Sequence, residues 1–391
     1  MAYGDHADLH HTGPGTLAGR FMRTFWQPVY RSKELAPGQA VPVRLMSEDF
    51  TLFRGASGTP YLVDFRCAHR GTQLSIGWVE DDCIRCRYHG WMYHGSGQCV
   101  EQPLEERPAP DRIRIRSYPI QEYLGLLFVY VGEEDPPPAI RRFPDFERPG
   151  YVEAGPGEYW PCNFMTRIDN DPRHVVFTHR ESWKRMGEGV RSAPSPLKAE
   201  ETEYGVRTYG PPPPGRPPRY TYFHMPNINQ VRSPRIEGTI DDARNLEADR
   251  LFWRVPIDDE HCVNWVVDYI PLTPEQAEQY ARRRSEAGEA NPEELNAIGE
   301  AILAGKMKLE SLPADMSIYK LFWIEDYVTQ VGQGRQDRRP PERLGGTDMG
   351  VILKRKIWER ELAALADGEP LKQWVTPAGL ADAQGTRVPI A

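Results

Sequence analysis

The 391-residue chain is poor in cysteine and has no long apolar run. Six cysteines are too few for a scaffold of disulfides. No stretch approaches the roughly 20 consecutive apolar residues of a membrane-spanning helix. The net charge of −8 does not support binding to nucleic acid. The N-terminus has no basic region followed by an apolar one, so we expect a cytoplasmic protein without a secretion signal.

Two cofactor motifs are also missing from the sequence. The chain has no Gly-x-Gly-x-x-Gly turn after a predicted strand, the pattern typical of dinucleotide binding. It also lacks the four-cysteine spacing of plant-type ferredoxins. If the chain takes part in redox chemistry, its electrons must therefore come from a separate protein.

The composition that is present indicates a folded protein of about two domains. Hydrophobic residues make up 39% and charged residues 27% of the chain, which is typical of globular proteins. From about residue 40 to 135, short β-rich runs separated by turn residues predict a small antiparallel β domain. The run Asp135-Pro136-Pro137-Pro138 breaks this pattern, and we expect a linker at 136–150. Helices are predicted after it, at 169–183, 273–287, 292–304 and 348–366.

Four of the six cysteines fall between residues 67 and 99, and two of these have a nearby histidine. The sequence reads Cys67-x-His69 and then Cys86-x2-His89, with sixteen residues between the two motifs. Structural zinc also takes two Cys and two His, but ligands of one kind are usually grouped. A Rieske [2Fe–2S] cluster needs two Cys on one iron and two His on the other. Two facing loops that each give one Cys and one His meet that need, so the spacing favours a Rieske cluster.

A second candidate metal motif is Asp171-x2-His174-x4-His179. Non-haem Fe(II) oxygenases hold iron with two histidines and one carboxylate. Residues five apart on an ideal α-helix point about 140° apart. The two histidines would therefore need a helix end or a local distortion to converge. Taken alone, the motif is equally compatible with two incidental histidines on a helix.

The segments CAHRG at 67–71 and CRYHGW at 86–91 closely resemble the ligand loops of the Rieske ring-hydroxylating and O-demethylating oxygenases. The Asp171 motif follows these loops at about the distance typical of that family. The resemblance covers nearly the whole chain, and the segment 342–348 resembles the phthalate-dioxygenase-like branch. One departure is Ile168, because many relatives have Asn or Glu at that position.

This resemblance implies specific roles for the second motif. His174 and His179 would bind a mononuclear iron, and Asp171 would bridge an iron-ligating His to a cluster His across a subunit boundary. The third iron ligand is implied within the acidic, aromatic-flanked segment that contains Asp326, with Glu325 as the second choice.

The resemblance also implies an α+β fold in two domains. Residues 1–145 would form an N-terminal segment and a Rieske domain. Residues 146–391 would form a helix-grip-like catalytic domain, in which helices flank an antiparallel sheet. The subunits would assemble as a homotrimer or as stacked trimers.

The function implied is that of a terminal oxygenase. It would use O2, and electrons from a separate NAD(P)H-dependent reductase, to hydroxylate an aromatic substrate. An alternative is O-demethylation of a methoxylated, lignin-derived aromatic acid. A Rieske electron carrier without catalysis and a zinc-stabilised binding module are further alternatives. Arg207 and Arg232 are candidates to hold a substrate carboxylate, although structural arginines would give the same pattern.

Overall fold

The structure is a computed structural model, and it describes residues 8–103, 105–170, 177–187, 197–211, 220–234, 247–287 and 291–382. The chain folds into two compact units. The N-terminal unit comprises residues 11–140 together with 255–259. The C-terminal unit comprises the described parts of 1–10, 141–254 and 260–391. The break after Ile140 falls inside the segment in which the sequence predicts a linker, whereas nothing in the sequence suggests that 255–259 returns to the N-terminal unit.

The described residues of the N-terminal unit contain one α-helix and eleven strands. Helix α1 (Leu17–Arg23) is capped by Thr16, whose side chain accepts a hydrogen bond from the Gly19 amide. The strands are β1 (Gln27–Arg31), β2 (Ala40–Leu45), β3 (Glu48–Arg54), β4 (Pro60–Asp64), β5 (Trp78–Glu80), β6 (Cys83–Arg85), β7 (Met92–His94), β8 (Cys99–Glu101), β9 (Ser117–Tyr118), β10 (Ile120–Tyr123) and β11 (Leu126–Val129). They form sheets in the orders β1-β11-β10, β2-β3-β4-β9 and β5-β6-β7-β8. The antiparallel β domain predicted from the sequence is confirmed.

The sheet β5-β6-β7-β8 consists of three-residue strands, which are too short to be stable alone. Ile84 and Tyr93 face each other across β6 and β7, and both are fully buried. The same apolar cluster includes Phe53 from β3 and the side chains of Cys67 and Cys86. This shared core fixes the loops that precede and follow β6, and it keeps water away from both sulfur atoms.

The C-terminal unit is built around an eight-stranded sheet. The strands are β12 (Tyr151–Ala154), β13 (Glu158–Trp160), β14 (Lys198–Glu201), β15 (Gly205–Tyr209), β16 (Tyr220–His224), β17 (Ile228–Pro234), β18 (Glu247–Pro256) and β19 (Cys262–Ile270). The order is β12-β19-β18-β17-β16-β15-β14, and β13 also pairs with β19. Because consecutive strands from β14 to β18 are neighbours, most of the sheet is a simple antiparallel meander.

Helices accompany this sheet. They are α2 (Phe164–Ile168), α3 (Arg180–Arg185), α4 (Pro274–Ala287), α5 (Pro292–Leu303), α6 (Ile318–Gln330) and α7 (Met349–Asp367). The last three predicted helices match α4, α5 and α7 to within one residue at each end, and the α+β fold class is confirmed. In the part of the chain that the structure describes, no helix is both long and apolar enough to cross a membrane.

Helix α6 is held against β13 and α5 by aromatic packing. Trp323 stacks on Trp160 with ring centroids 5.4 Å apart, and the Tyr327 hydroxyl donates to Glu300 Oε1 over 2.6 Å. Gly299 permits this approach, because a Cβ there would lie 2.3 Å from the Tyr327 ring. The middle of α6 therefore has a fixed position over the sheet.

The helix predicted over 169–183 is confirmed only at its end, because among the described residues 180–183 are helical whereas 169–170 and 177–179 are not. Asp169 caps the end of α2, and its Oδ2 lies 2.6 Å from Nη2 of Arg355. Residues 177–179 form a turn, and α3 begins only at Arg180. The contact that fixes Asp169 comes from α7, and such a tertiary contact is invisible to a periodicity argument. His179 consequently lies just before a helix start.

We predict that Gly97→Ala destabilises the protein much more than Gly58→Ala. Both glycines have φ near +85°, but a Cβ at Gly97 would lie 2.1 Å from the Ile115 carbonyl oxygen, whereas nothing lies within 4 Å of one at Gly58. The backbone strain alone costs about 1 kcal/mol, and the clash should raise the cost at Gly97 to about 3 kcal/mol or more. Thermal unfolding of the two variants measures the difference, and equal losses would contradict this account.

Candidate metal centres

The two predicted cluster loops share the same backbone hydrogen bonds and the same glycine conformation. In the first loop the Gly71 amide donates to the Cys67 carbonyl over 2.9 Å, and in the second the Gly90 amide donates to the Cys86 carbonyl over 3.0 Å. In each loop the cysteine amide then donates to the carbonyl of the residue after the glycine. Both glycines have φ of +76°, a conformation that L residues rarely adopt. The glycine four residues after each cysteine is thus required by the turn.

These loops place like ligands together. The sulfur-bearing residues Cys67 and Cys86 are 3% and 1% exposed and share one core cluster. The rings of His69 and His89 lie with centroids 4.6 Å apart. Among the described residues, no three His, Cys, Asp or Glu side chains converge on one ion position. The two cysteines on one side and the two histidines on the other match the need of a Rieske [2Fe–2S] cluster for two ligands of one kind on each iron.

A polar atom without a partner supports metal ligation at the same place. His69 Nδ1 is buried, and the described part of the chain offers it no hydrogen bond. Its ring stacks on Trp91 at 4.6 Å and 7°, which fixes the ring plane. A buried polar nitrogen left unsatisfied is costly, and a bond to iron satisfies it.

The electrostatic environment favours the metal-binding form of His89 and disfavours the metal-binding form of Cys67. Burial raises the pKa of the Cys67 thiol, and the nearby Cys86 acts in the same direction. The Tyr93 hydroxyl opposes this effect by hydrogen bonding to Cys67 Sγ over 3.2 Å. Desolvation lowers the pKa of His89, which favours the neutral imidazole, the form that binds metals. Cluster binding at Cys67 would therefore have to be accompanied by loss of the thiol proton.

The structure describes only part of the second motif. Asp171 and His174 lie outside the described residues. His179 and Asp326 are brought together, with His179 Nε2 lying 3.4 Å from Asp326 Oδ1. Two ligand atoms that each lie about 2.1 Å from one first-row metal, at about 90–110°, are separated by about 3.0–3.4 Å. The separation suits a shared metal ion.

Glu325 and Asp326 have different environments although they are adjacent on α6. Glu325 is 1% exposed, and its Oε1 accepts hydrogen bonds from the amides of Glu181 and Ser182 over 2.9 and 3.1 Å. Its Oε2 accepts from the Ser182 hydroxyl over 2.5 Å and lies 3.4 Å from His179 Nδ1. Both oxygens of Glu325 are thus engaged at the start of α3. Asp326 is the acid that faces His179 Nε2.

Neighbours that the sequence did not suggest surround this pair. Asn170 Nδ2 donates to Asp326 Oδ1 over 3.2 Å, and Arg167 Nη1 lies 4.0 Å from Asp326 Oδ2. The Phe322 ring packs edge-on against His179 with centroids 4.6 Å apart. Phe322 could have been found from sequence, because it lies one helical turn before Asp326. Asn170 and Arg167 carry no comparable signal.

The two arginines suggested for substrate binding are engaged elsewhere. Arg207 forms an ion pair with Glu200 on the neighbouring strand. Arg232 Nε donates to Asp249 Oδ1 over 2.8 Å, and both side chains are almost fully buried. Each therefore has a carboxylate partner within the sheet.

Comparison with known proteins identifies the protein family to which the chain belongs. Residues 25–119 match the family model described as the Rieske [2Fe-2S] domain. The chain is 32% identical to the 5,5'-dehydrodivanillate O-demethylase oxygenase subunit of Sphingobium sp. (strain NBRC 103272 / SYK-6), over 93% of this chain and 81% of the relative. It is 27% identical to the phenoxybenzoate dioxygenase subunit alpha of Ectopseudomonas oleovorans, over 92% of this chain and 85% of the relative.

Solved structures share the fold. NdmA of Pseudomonas putida CBB5 with caffeine matches with a TM-score of 0.64 at 17% identity, over 95% of this chain and 97% of that one. The oxygenase in the ferredoxin complex of carbazole 1,9a-dioxygenase matches with a TM-score of 0.60 at 19% identity, over 93% of each chain. The chain belongs to the Rieske oxygenase family, and it is an oxygenase subunit with a Rieske [2Fe–2S] domain.

We predict that Tyr93→Phe lowers the reduction potential of the cluster. The hydroxyl accepts from the Ala68 amide over 3.2 Å and is directed at Cys67 Sγ. A hydrogen bond to a ligand sulfur stabilises the reduced cluster, so its loss should lower the potential by an amount on the order of tens of millivolts. A redox titration followed by visible absorbance measures the change.

The matched control for this variant is Tyr118→Phe. The Tyr118 hydroxyl donates to Asp64 Oδ1 over 3.0 Å in the same unit, away from the ligand loops. An unchanged potential in Tyr93→Phe, or an equal shift in both variants, would contradict the assigned role of the hydroxyl.

Proposed function

We propose that the protein is the terminal oxygenase of a multicomponent system and uses O2 and externally supplied electrons to hydroxylate an aromatic substrate. The observation that carries the proposal is the approach of His179 Nε2 to Asp326 Oδ1 at 3.4 Å. This pair occurs in a chain whose relatives include two oxygenase subunits that match over more than nine-tenths of its length. A Rieske electron carrier would have no need for a second metal-binding pair.

The proposed iron ligands are His174, His179 and Asp326. His179 and Asp326 are supported by their geometry, whereas His174 is supported by the motif that it shares with the family. Two histidines and one carboxylate hold Fe(II) on one face and leave positions open, where the metal supplies O2 activation and a template for the substrate. Asp171 is proposed as the relay between a cluster histidine and an iron-ligating histidine.

Residues around the proposed ligands position them. Glu325 accepts hydrogen bonds from the first turn of α3 and lies beside His179 Nδ1, so it fixes the ring that presents Nε2 to the metal. Asn170 holds one oxygen of Asp326. Phe322 covers the His179 ring and provides an apolar wall that limits water.

A second candidate reaction is O-demethylation, in which the methoxy carbon of an aromatic acid is hydroxylated. The specific observation in its favour is the 32% identity to a subunit whose name gives dehydrodivanillate O-demethylation. Incubation of the reconstituted system with methoxybenzoates, biphenyls and phthalates under 18O2, followed by mass spectrometry, separates the two. Ring hydroxylation retains the label in the aromatic product, whereas O-demethylation yields a product lighter by one methylene and releases formaldehyde.

We further propose that the electrons come from a separate NAD(P)H-dependent reductase, since the sequence has no dinucleotide-binding motif of its own. The family resemblance supports a homotrimer or stacked trimers, in which the cluster of one subunit serves the iron of the next. A cytoplasmic location accords with a system that depends on NAD(P)H.

We predict that Asp326→Asn lowers the iron content from about three to about two per chain and leaves the cluster spectrum unchanged. A carboxylate is the hard, anionic ligand of the proposed site, and loss of a ligand should abolish stable iron binding. Metal analysis together with visible absorbance tests this. Asp337→Asn, an exposed acid paired with Arg335, is the control and should keep all three irons. Full iron content in Asp326→Asn would contradict the ligand assignment.

We predict that Asp171→Ala leaves the cluster and the iron in place, permits chemical reduction of the cluster, and lowers turnover by about 100-fold or more. The variant removes the proposed relay without removing a ligand. Asp169→Asn serves as the comparison, because Asp169 is paired with Arg355 and has the wrong spacing for the relay. Normal turnover in Asp171→Ala would refute the relay.

A further inference from the structure

Arg167 is a buried cation in the last turn of the short helix α2. It is 2% exposed, and its guanidinium carbon lies 3.6 Å from the ring centroid of Trp160 on β13. Its Nη1 donates a hydrogen bond to Oε1 of Gln330 on α6. Because the Trp160 ring also stacks on Trp323 of the same helix, the guanidinium has a fixed position between α2, β13 and α6.

Among the residues that the structure describes, Asp326 has the one carboxylate within 4.0 Å of this cation. Arg167 Nη1 lies 4.0 Å from Asp326 Oδ2. Asp326 and Gln330 are four residues apart on α6, so both lie on the face of the helix that meets Arg167. Asp326 Oδ1 instead lies 3.4 Å from His179 Nε2 and accepts from Asn170 Nδ2 over 3.2 Å. The two oxygens of Asp326 thus have different neighbours.

The length of the contact between Arg167 and Asp326 distinguishes it from a structural ion pair. Arg232 donates to Asp249 over 2.8 Å, and a hydrogen bond of that length occupies a lone pair of the carboxylate. At 4.0 Å Arg167 forms no hydrogen bond with Asp326, so the carboxylate keeps its lone pairs available for a metal. The positive charge still acts on the carboxylate, because water and salt screen a largely buried pair only weakly.

A fixed positive charge beside a metal ligand affects the two oxidation states of iron unequally. The charge repels Fe(III) more strongly than Fe(II), and it draws electron density away from the carboxylate that would stabilise Fe(III). The ferrous state is therefore favoured, and the reduction potential of the iron rises. Arginine suits this role better than lysine or histidine, because a guanidinium keeps its charge when it is buried.

We infer that Arg167 is a positioning residue of the proposed iron site, whose charge attracts Asp326 Oδ2, leaves Oδ1 turned toward His179 and raises the reduction potential of the iron. The inference rests on the proposed function, in which Asp326 is an iron ligand. It adds a residue outside the ligand set, and it accounts for a cation that is buried beside an acid without a hydrogen bond to it. A higher potential keeps the resting iron ferrous, the state on which the proposed function depends.

The test is a redox titration of the mononuclear iron in the holoenzyme, with the ferric form followed by its high-spin EPR signal. Arg167→Met keeps an unbranched side chain on the Trp160 ring but removes the charge. At a given potential its ferrous-to-ferric ratio should fall by about tenfold or more, which corresponds to about 59 mV for one electron. Arg167→Gln removes the same charge and should shift the potential in the same direction. Arg167→Lys keeps the charge and should retain most of the wild-type potential.

A second measurement needs no iron. In protein from which a chelator has removed the mononuclear iron, thermal unfolding is compared for Arg167→Met, Asp326→Asn and the double variant. If the charge of Arg167 acts on Asp326, then Asp326→Asn should lower the melting temperature less in the Arg167→Met background than in the wild type. Strictly additive changes would contradict the inference.

The matched control is Arg339→Gln, which removes a cation that donates to the Thr166 hydroxyl, also on α2, over 2.8 Å. It should change the potential much less than the neutral variants of Arg167. The inference is overturned if Arg167→Met or Arg167→Gln keeps the wild-type potential, or if Arg339→Gln shifts it equally. Iron analysis separates this result from the proposed function. Two irons per chain in the wild type would contradict that function, whereas three irons with an unchanged potential in the neutral variants would contradict only the role of Arg167.

Discussion

The carboxylate of Glu325 ties the start of α3 to the middle of α6, and the proposed iron site depends on this contact. An ionised carboxylate that is 1% exposed is tolerated only when hydrogen bonds replace its water. Two amides and the Ser182 hydroxyl do so here, and each such bond contributes about 1.5–3 kcal/mol. Because His179 is the residue immediately before α3, the same contact brings its ring next to Asp326.

The two adjacent acids of α6, Glu325 and Asp326, thus have different roles. Both oxygens of Glu325 accept hydrogen bonds within the protein, whereas Asp326 is the proposed iron ligand. The aromatic packing of Trp323 and Tyr327 against Trp160 fixes the helix that carries both acids. The proposed cluster ligands also differ in environment. Cys67 and Cys86 lie in an apolar core, while His69 and His89 remain partly exposed. Partly exposed imidazoles give electrons a path toward the surface of the N-terminal unit.

The sequence carries a clear signal for the proposed cluster ligands because the pattern is local. Each loop holds a Cys, a His and a required glycine within five residues, so spacing alone restricts the geometry. The proposed iron site is harder to predict from the sequence, since 146 positions separate His179 from Glu325. Only the family resemblance points to Asp326. The role of Glu325 depends on how α6 packs against the start of α3, which no local pattern encodes. The helix predicted over 169–183 begins too early for the same reason, because Asp169 is held by a contact from α7.

We propose that one chain holds two kinds of iron centre, a Rieske cluster and a mononuclear iron. Mössbauer spectroscopy of the reduced, 57Fe-enriched holoenzyme tests it most directly. The account predicts three iron environments of equal intensity: a ferric and a ferrous iron from the cluster, and one separate high-spin ferrous iron. A spectrum with the two cluster irons alone, in protein grown and purified with excess iron, would contradict it.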